Sequence, residues 1–429
     1  MERPSIAALD APRRSTVQDV ARRLASAGHR AWMVGGAVRD LALGRAVADI
    51  DLASAARPED LEALFARTHA VGRAFGTVIL VEGGMEMEVT TFRADGAYGD
   101  SRRPDEVVFG TELAADAERR DFTCNAVYLD PLTDELADPT GGLADLERRT
   151  LRCVGDADRR FREDGLRLLR LARFAAVYGL AVEDATWRAA GRALDALAGV
   201  SAERIFAELE RVVLQGAAPA ALRLLAASGA LLRAVPGLAG LHPPELSDGE
   251  ALEQKLGALE RFGGRPDLVA VLALLLDPLD AAREEEAVEV LVRLRPPRAI
   301  VDGVRALWRM ASDLSGSRSG AEGWRRRATG IRLIRAPEWE SFVALGRAWG
   351  GGAGGEPLTE LVALAALLGE EELRPAPFVT SADLAAAGIP RGPRWGELLH
   401  RAEDLQLGGA HRSRAEALRW LAQEAAKAK

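Results

Sequence analysis

Near residue 150 the hydrophobic pattern of this chain changes its period. Before that point, short apolar runs sit among charged and glycine-rich segments: "AWMV" at 31–34, "DIDLAS" at 49–54, "GTVILV" at 76–81, "MEMEVTTF" at 85–92, "DEVVF" at 105–109 and "NAVYLD" at 125–130. Runs of this length and residue type read as strands. Beyond it, apolar residues recur at three- and four-residue steps through "REDGLRLLRLARFAAVYG", "SAERIFAELERVVLQ" and "APAALRLLAASGALLRAV", which is the helical period. The pattern predicts an α+β domain with a mixed sheet, followed by an all-α remainder. Proline- and glycine-rich breaks at 240–250, 262–267, 294–299 and 349–357 divide the helical part, and the last precedes a small tail.

Composition narrows the class. With 429 residues the chain has room for two to four domains, and 48% hydrophobic residues suffice for real cores. Aromatics are sparse at 5%, while Ala, Leu and Arg abound, which favours helix. The formal charge of -8 argues against a wholly basic surface, but nucleic-acid binding needs only a local basic face. Nearly all the basic residues are Arg, the better side chain for bidentate phosphate contacts. The two cysteines, Cys124 and Cys153, sit in no CxxC pair and near no histidine cluster, so neither zinc nor a disulfide framework is expected. The start lacks an apolar signal core, and no apolar run approaches a membrane span. A soluble cytoplasmic chain is expected, with no membrane partner and no obligatory protein partner.

The stretch "VGGAVRDLALGRAVADIDLAS" (34–54) carries the first chemistry. Val34 would end a strand, Gly35-Gly36 would turn tightly, and "AVRDLAL" would form a short helix. Glycines at a helix start let backbone N–H groups approach a phosphate, and Arg39 on the first turn could reach the same anion. On a strand, Asp49 and Asp51 point the same way with Ile50 behind them. Two adjacent carboxylates repel, and a divalent cation between them resolves the repulsion. Each half alone has a plain alternative, a turn in one case and a solvated strand in the other.

Together, "GGAVRD…DIDL" resembles motif A of the DNA polymerase β nucleotidyltransferase superfamily. The branch is that of the class II tRNA nucleotidyltransferases (CCA-adding enzymes) and bacterial poly(A) polymerases. "ERRDFTCNAVYLD" (118–130) resembles motif B of that branch, usually written RRDxTxNA, and its Asn125 is the only asparagine in the chain. There Arg120 can fork onto a triphosphate, and Asp121 can accept from ribose hydroxyls. "DPTGGLADLERRTLRCV" (138–154) resembles motif C, whose Gly pair and Asp145 read as structural or hinge-like.

"FREDGLRLLRLARFAA" (161–176) matches motif D, E-D-x-x-R, at Glu163, Asp164 and Arg167, with Arg170 and Arg173 following at three-residue steps. Cytosine and adenine place an amino donor beside a bare ring nitrogen; uracil and guanine place an N–H beside a carbonyl. One carboxylate next to one guanidinium, Asp164 and Arg167, complements only the first pattern. The family usually has Ala or Pro where this chain has Gly165, a departure that would loosen the helix start. "SAERIFAEL" (201–209) resembles motif E, with Glu203 and Arg204 as neck-stabilising residues, and "IPRGPRWGELLHRAEDLQLGG" resembles the tail of bacterial members. Glu88 in "MEMEV" is either a third carboxylate of the site or an ordinary surface residue. The basic "WRRRATGIRLIR" (324–335) is either a tRNA-backbone contact or a solvated helix face.

The resemblance implies a polymerase-β-like nucleotidyltransferase head over 1–148, then a helical neck (149–235), body (236–370) and tail (371–429). It implies CCA addition to the tRNA 3′ end from CTP and ATP, with release of pyrophosphate. Asp49 and Asp51 would be catalytic and hold two Mg²⁺ ions; Gly35, Gly36, Arg39, Arg120, Asp121, Asp164, Arg167, Arg170 and Arg173 would bind nucleotide. The partner would be the acceptor stem and elbow of tRNA. The charged loop at 90–110 is present in members that add all three nucleotides or only the last A, and "GTV" at 76–78 resembles the CCA type more than the poly(A) type. An A-adding enzyme, a poly(A) polymerase and an inactive RNA-binding module remain as alternatives.

Overall fold

The computed structural model describes residues 3–69, 76–95, 98–100, 103–104, 107–110, 112–242, 245–262, 267–277, 281–316, 323–349 and 355–427. The chain divides into two compact units, Met1–Pro236 and Gly237–Lys429.

The first unit opens with helix α1 (Ala11–Ser26), strand β1 (Ala31–Val34), helix α2 (Gly36–Ala42), strand β2 (Asp51–Ser54) and helix α3 (Pro58–Leu64). Strands β3 (Thr68–His69), β4 (Thr77–Glu82) and β5 (Met85–Thr91) follow, and β10 (Tyr128–Leu129) and β11 (Leu136–Ala137) complete a mixed sheet in the order β11-β10-β1-β2-β5-β4-β3. Only β2 and β5 pair in parallel; the remaining neighbours are antiparallel. Between them lie two short ladders, β6 (Arg93–Asp95) with β9 (Val107–Phe109) and β7 (Tyr98–Asp100) with β8 (Arg103–Pro104). They occupy the expected 90–110 loop, of which 96–97, 101–102 and 105–106 lie outside the described residues.

Both faces of the central strands are covered, which is why β1 is buried at all four positions. On one face Met33, Leu52, Leu80, Val89 and Leu129 pack with Val17, Val20 and Leu24 of α1 and Val38 of α2. On the other, Trp32, Val34, Ala53 and Tyr128 pack with Phe92, Ala117 and Val154. Alternation along a strand sends neighbours to opposite faces. Ile50 accordingly joins the first core while Asp51, beside Ala53 in alternation, points to the second face.

Helix α4 (Leu113–Glu118), a 3-10 turn at Thr123–Asn125 and helix α5 (Gly142–Glu147) lead to the short β12 (Thr150–Leu151). The expected strand at 125–130 is shorter, because the 3-10 turn takes Asn125 and leaves only Tyr128–Leu129 in the ladder. Helices α6 (Ala157–Glu163) and α7 (Leu166–Tyr178) carry the motif-D segment, which is therefore two helices and not one. Strand β13 (Ala181–Val182) pairs with β12, and α8 (Asp184–Arg192), the 3-10 turn Leu194–Gly199, α9 (Ala202–Leu214), α10 (Ala218–Ser228) and α11 (Ala230–Ala234) complete the unit.

The described regular elements of the second unit are all helices, from α12 (Asp248–Glu260) and α13 (Leu268–Leu275) through α14 (Glu284–Arg293), α15 (Arg298–Gly316), α16 (Gly323–Arg335), α17 (Trp339–Trp349), α18 (Glu356–Leu367), α19 (Glu370–Leu373), α20 (Ser381–Ala386), α21 (Pro393–Leu407) and α22 (Arg414–Ala426). Parts of the expected breaks at 240–250, 262–267 and 349–357 lie outside the described residues. The basic segment 324–335 forms most of α16 and meets acidic residues of α21: Arg332 pairs with Asp404 at 2.6 Å and Arg335 with Glu403 at 2.8 Å. At these two residues the cationic face is committed to the protein itself. Among the described residues no helix is long and apolar enough to cross a membrane.

Candidate active site

The site is built around Gly35, which sits between β1 and α2 with φ +72. That conformation strains any residue with a Cβ. A Cβ there would also lie 3.6 Å from the Asp51 Oδ2 and 3.6 Å from the Arg120 Nη1. Glycine lets a carboxylate and a guanidinium approach the same point of backbone.

Asp51 opens β2 and is the ladder partner of Val34 on one side and Glu88 on the other. Partners across a ladder share a face, so Asp51 and Glu88 stand side by side. Burial, then the Glu88 charge, pushes the Asp51 carboxyl up to about 6, with Asp49 adding to the rise and Arg120 and Arg39 opposing it. Asp49 is exposed and precedes the ladder, so the expected strand start at 49 moves to 51. Among the described residues no three His, Cys, Asp or Glu side chains form a ready cage. The arrangement is a surplus of negative charge on hard oxygen donors, open on one side. It suits a divalent cation that takes one or two carboxylates and completes its shell elsewhere.

Arg120 is aimed by Asp116, a residue that motif reasoning passed over. Asp116 is fully buried on α4 and accepts from Arg119 at 2.7 Å, from Arg120 Nη2 at 2.9 Å and from the Tyr128 hydroxyl at 2.7 Å. Burial alone would raise its carboxyl, but the two guanidinium charges hold it below the usual carboxylate range. The signal was present in the sequence: Asp116 lies three and four residues before Arg119 and Arg120, which is helical ion-pair spacing.

Asp121 is buried at 8% exposure. Its Oδ1 accepts from the Phe122 amide at 2.8 Å and the Asn125 side chain at 3.0 Å, and its Oδ2 accepts from Arg170 Nε at 2.7 Å. Burial by itself pushes this carboxyl up, but the Arg170 charge and the Asn125 hydrogen bond outweigh it and hold the group at about 2. Asp145 joins motif C to motif B, accepting from Thr123 Oγ1 at 2.7 Å and from Arg152 Nε at 2.9 Å. The adjacent Gly142 packs on motif B so closely that a Cβ would fall 2.1 Å from the Thr123 carbonyl oxygen.

The structure distributes the motif-D residues among separate partners. Asp164 lies in the break between α6 and α7, where its Oδ1 caps the Leu166 amide at 3.1 Å and its Oδ2 accepts from Arg204 of α9 at 2.7 Å. Arg167 is buried and pairs with Glu163 at 2.8 Å, with Nη2 reaching the Arg119 carbonyl at 3.2 Å. Arg173 is buried against Glu208, itself fully buried. The three arginines fan along α7 as expected, but each has its own acid: Glu163, Asp121 and Glu208. Gly165 also has a packing role that propensity does not state. A Cβ there would sit 2.3 Å from the Ala196 carbonyl oxygen, so its absence lets the 3-10 turn Leu194–Gly199 close over the start of α7.

Arg39 has a different environment from the expected phosphate contact. It is 5% exposed, with Nε on Asp40 at 3.0 Å, Nη1 on the Asn125 Oδ1 at 2.7 Å and Nη2 on the Tyr178 hydroxyl. Gly36 lies beside it. Motif A thus gives the site Gly35, Asp51 and a guanidinium turned toward α7. Glu88 is exposed beside Asp51, on the face that a third carboxylate of the site would need.

Residues 31–152 match the poly A polymerase head domain, and 179–241 match a probable RNA- and SrmB-binding site of polymerase A. Among curated proteins, the chain is 45% identical to a CCA-adding enzyme of Geobacillus stearothermophilus over 221 residues, 52% of this chain and 54% of that one. It is 40% identical to a CCA-adding enzyme of Bacillus pumilus over 255 residues, 58% of this chain and 63% of that one. The chain thus spans little more than half the length of the curated relatives it matches. Among solved structures, that of a Thermotoga maritima CCA-adding enzyme complexed with tRNA shares the fold, with TM-score 0.67 at 21% identity over 97% of this chain and 96% of that one. The crystal structure of a Bacillus stearothermophilus CCA-adding enzyme in complex with CTP aligns over 97% of this chain and 98% of its own, with TM-score 0.75 at 30% identity. Matched across almost its whole length and in both parts of its first unit, the chain belongs to the family of CCA-adding enzymes and poly(A) polymerases.

Proposed function

We propose that this chain is a tRNA nucleotidyltransferase that completes the tRNA 3′ end with CCA, taking CTP and ATP and releasing pyrophosphate. The observation that carries the reading is the approach of Asp51 and Arg120 to the glycine turn at Gly35, with Glu88 beside Asp51 in the ladder. Residues 149–235 act as the neck of the head at 1–148, and the second unit comprises body and tail.

Asp49 and Asp51 would hold two Mg²⁺ ions, with Glu88 alongside. The raised carboxyl of Asp51 marks charge that a cation would relieve. When bound, the ions supply Lewis-acid stabilisation of the attacking and leaving oxygens. The remaining work belongs to side chains. Arg120, held by Asp116, faces the triphosphate over the Gly35-Gly36 backbone. Asp121 faces the ribose hydroxyls. Asp164 and Arg167 present an acceptor and a donor to the pairing edge of C or A, with Arg204 and Glu163 fixing their directions. Arg170 and Arg173 lie along the same helix.

The test uses three tRNA transcripts, ending before CCA, after C and after CC, with single and mixed nucleotides. The first should grow by three residues when CTP and ATP are both present, and then stop. Growth of the CC-ending transcript alone would make the chain an A-adding enzyme. Open-ended A tails on unrelated RNA would make it a poly(A) polymerase, and no magnesium-dependent incorporation would leave an inactive RNA-binding module.

A further inference from the structure

Two buried side chains at the join of motifs B and D have no part in the reaction as described: Asn125, the only asparagine of the chain, and Tyr178, the last residue of α7. They lie in one run of hydrogen bonds. The Tyr178 hydroxyl accepts from Arg39 Nη2, Arg39 Nη1 donates to the Asn125 Oδ1 at 2.7 Å, and Asn125 Nδ2 donates to the Asp121 Oδ1 at 3.0 Å. Asp121 Oδ2 then accepts from Arg170 at 2.7 Å, which returns the run to the helix where it began. Donor and acceptor alternate throughout. The middle position must offer an acceptor to a guanidinium and a donor to a carboxylate, and among side chains of this size an amide does both. Aspartate there would set a second carboxylate against Asp121.

The phenol ring is itself held. The Arg39 guanidinium lies 3.9 Å from its centroid and that of Arg45 4.8 Å, while Arg45 Nη1 donates to the Val177 carbonyl at 2.9 Å. Polar groups bonded end to end leave each member little freedom, and one member of this run is the Asp121 carboxylate that faces the sugar.

We propose that Tyr178 is a positioning residue: through Arg39 and Asn125 it sets the direction of Asp121 and thereby the preference for ribonucleotides over deoxyribonucleotides. The inference rests on the reading above that Asp121 faces the ribose. Asp121 gives Oδ2 to Arg170 and Oδ1 to both the Phe122 amide and Asn125, so Asn125 is the side-chain partner that sets the remaining acceptor direction beside a fixed backbone amide.

The experiment uses the full chain and the variants Tyr178→Phe, Asn125→Leu and the pair together. Tyr178→Phe keeps the ring beneath Arg39 and removes only the hydroxyl. Incorporation of CTP and of 2′-deoxy-CTP into a tRNA transcript is measured with magnesium, resolving kcat from KM, alongside thermal unfolding. Tyr178→Phe should lower the ribose-to-deoxyribose ratio of kcat/KM about fivefold, the effect of one lost hydrogen bond. The change should fall mainly in the CTP KM, with the unfolding midpoint within about 4 °C of wild type. The double variant should discriminate no worse than Asn125→Leu alone, because both act through one run of bonds. An unchanged ratio in Tyr178→Phe overturns the inference, as does full additivity in the double variant. Should Asn125→Leu not fold, the Tyr178→Phe ratio decides alone. A wild-type chain that incorporates no nucleotide removes the functional reading and the inference with it; a wild type that discriminates while Tyr178→Phe discriminates equally removes the inference only.

Discussion

Asp51 combines two conditions that a structural carboxylate avoids: partial burial, and a like charge beside it in the ladder. A residue placed at that disadvantage is held there by its task and not by what it adds to the fold. Asp51→Asn, which keeps the shape and removes the charge, should therefore leave the fold intact. With Asp49→Ala it tests the metal assignment. Each should lower nucleotide transfer roughly a thousandfold or more, the several kcal/mol that two-metal stabilisation supplies. Circular dichroism and tRNA binding should stay near wild type. Turnover within about tenfold of wild type in both variants would reject the assignment. Arg39 has partners that its motif does not name. Its place one turn into α2 predicts a phosphate contact, and its guanidinium also meets Asp40, Asn125 and Tyr178. Tyr178 lies 139 residues away in the chain, and no local pattern connects the two.

At the scale of elements, glycines decide how closely the pieces approach. Gly142 brings α5 onto the Thr123 carbonyl, and Gly165 brings the start of α7 under the Ala196 carbonyl. The obstruction in both cases is backbone, which has no rotamer to yield. Gly142→Ala and Gly165→Ala should each destabilise the chain by about 1–3 kcal/mol, the usual cost of overpacking. Gly191 is the control: it lies inside α8 with no neighbour within 4 Å of an added Cβ. Gly191→Ala should stabilise by about 0.5–1 kcal/mol through helix propensity. Urea unfolding of the three variants checks the ordering; a Gly165→Ala variant as stable as wild type would show that the 3-10 turn can move aside. The same position separates sequence from structure. In the family pattern Gly165 is a departure, and from propensity alone it predicts a looser helix. The close approach of Ala196, thirty-one residues on, gives it the opposite meaning.

For the whole molecule, the abundance of arginine is balanced by acids inside the fold. In the first unit Asp116, Asp121, Glu163 and Glu208 are each buried against at least one guanidinium. In the second, Arg332 and Arg335 meet Asp404 and Glu403. Such pairing makes stability depend on pH with a definite sign. Asp121 is held at about 2 in the folded chain, below its unfolded value of 3.8. Its contribution is present above the unfolded value and is lost as pH falls toward 2. The difference corresponds to on the order of 2 kcal/mol for this buried group. Asp116 and Asp145 are shifted in the same direction. Urea unfolding followed from pH 6 to pH 2 should show wild type losing stability faster than Asp121→Asn below about pH 4. Parallel curves for the two chains would show that the Arg170 pair does not hold the carboxylate down.

The sequence by itself determined the fold class and the family. The change of hydrophobic period near residue 150 separates the mixed sheet from the helices that follow, because burial on one side of a strand or helix repeats at a fixed step. The spacing of Gly35, Asp49, Asp51, Arg120, Asp121, Asp164 and Arg167 carried the family resemblance, because those residues are read as short local motifs. Tertiary structure alone decided the partners. Asp51 beside Glu88, Asp164 beside Arg204, Arg39 beneath Tyr178 and Gly165 against Ala196 all join segments at least 31 residues apart. The strength and direction of a charged group depend on which opposite charge the fold brings within a few ångströms. A local pattern can state that an arginine is present; only the packed chain states which acid it meets.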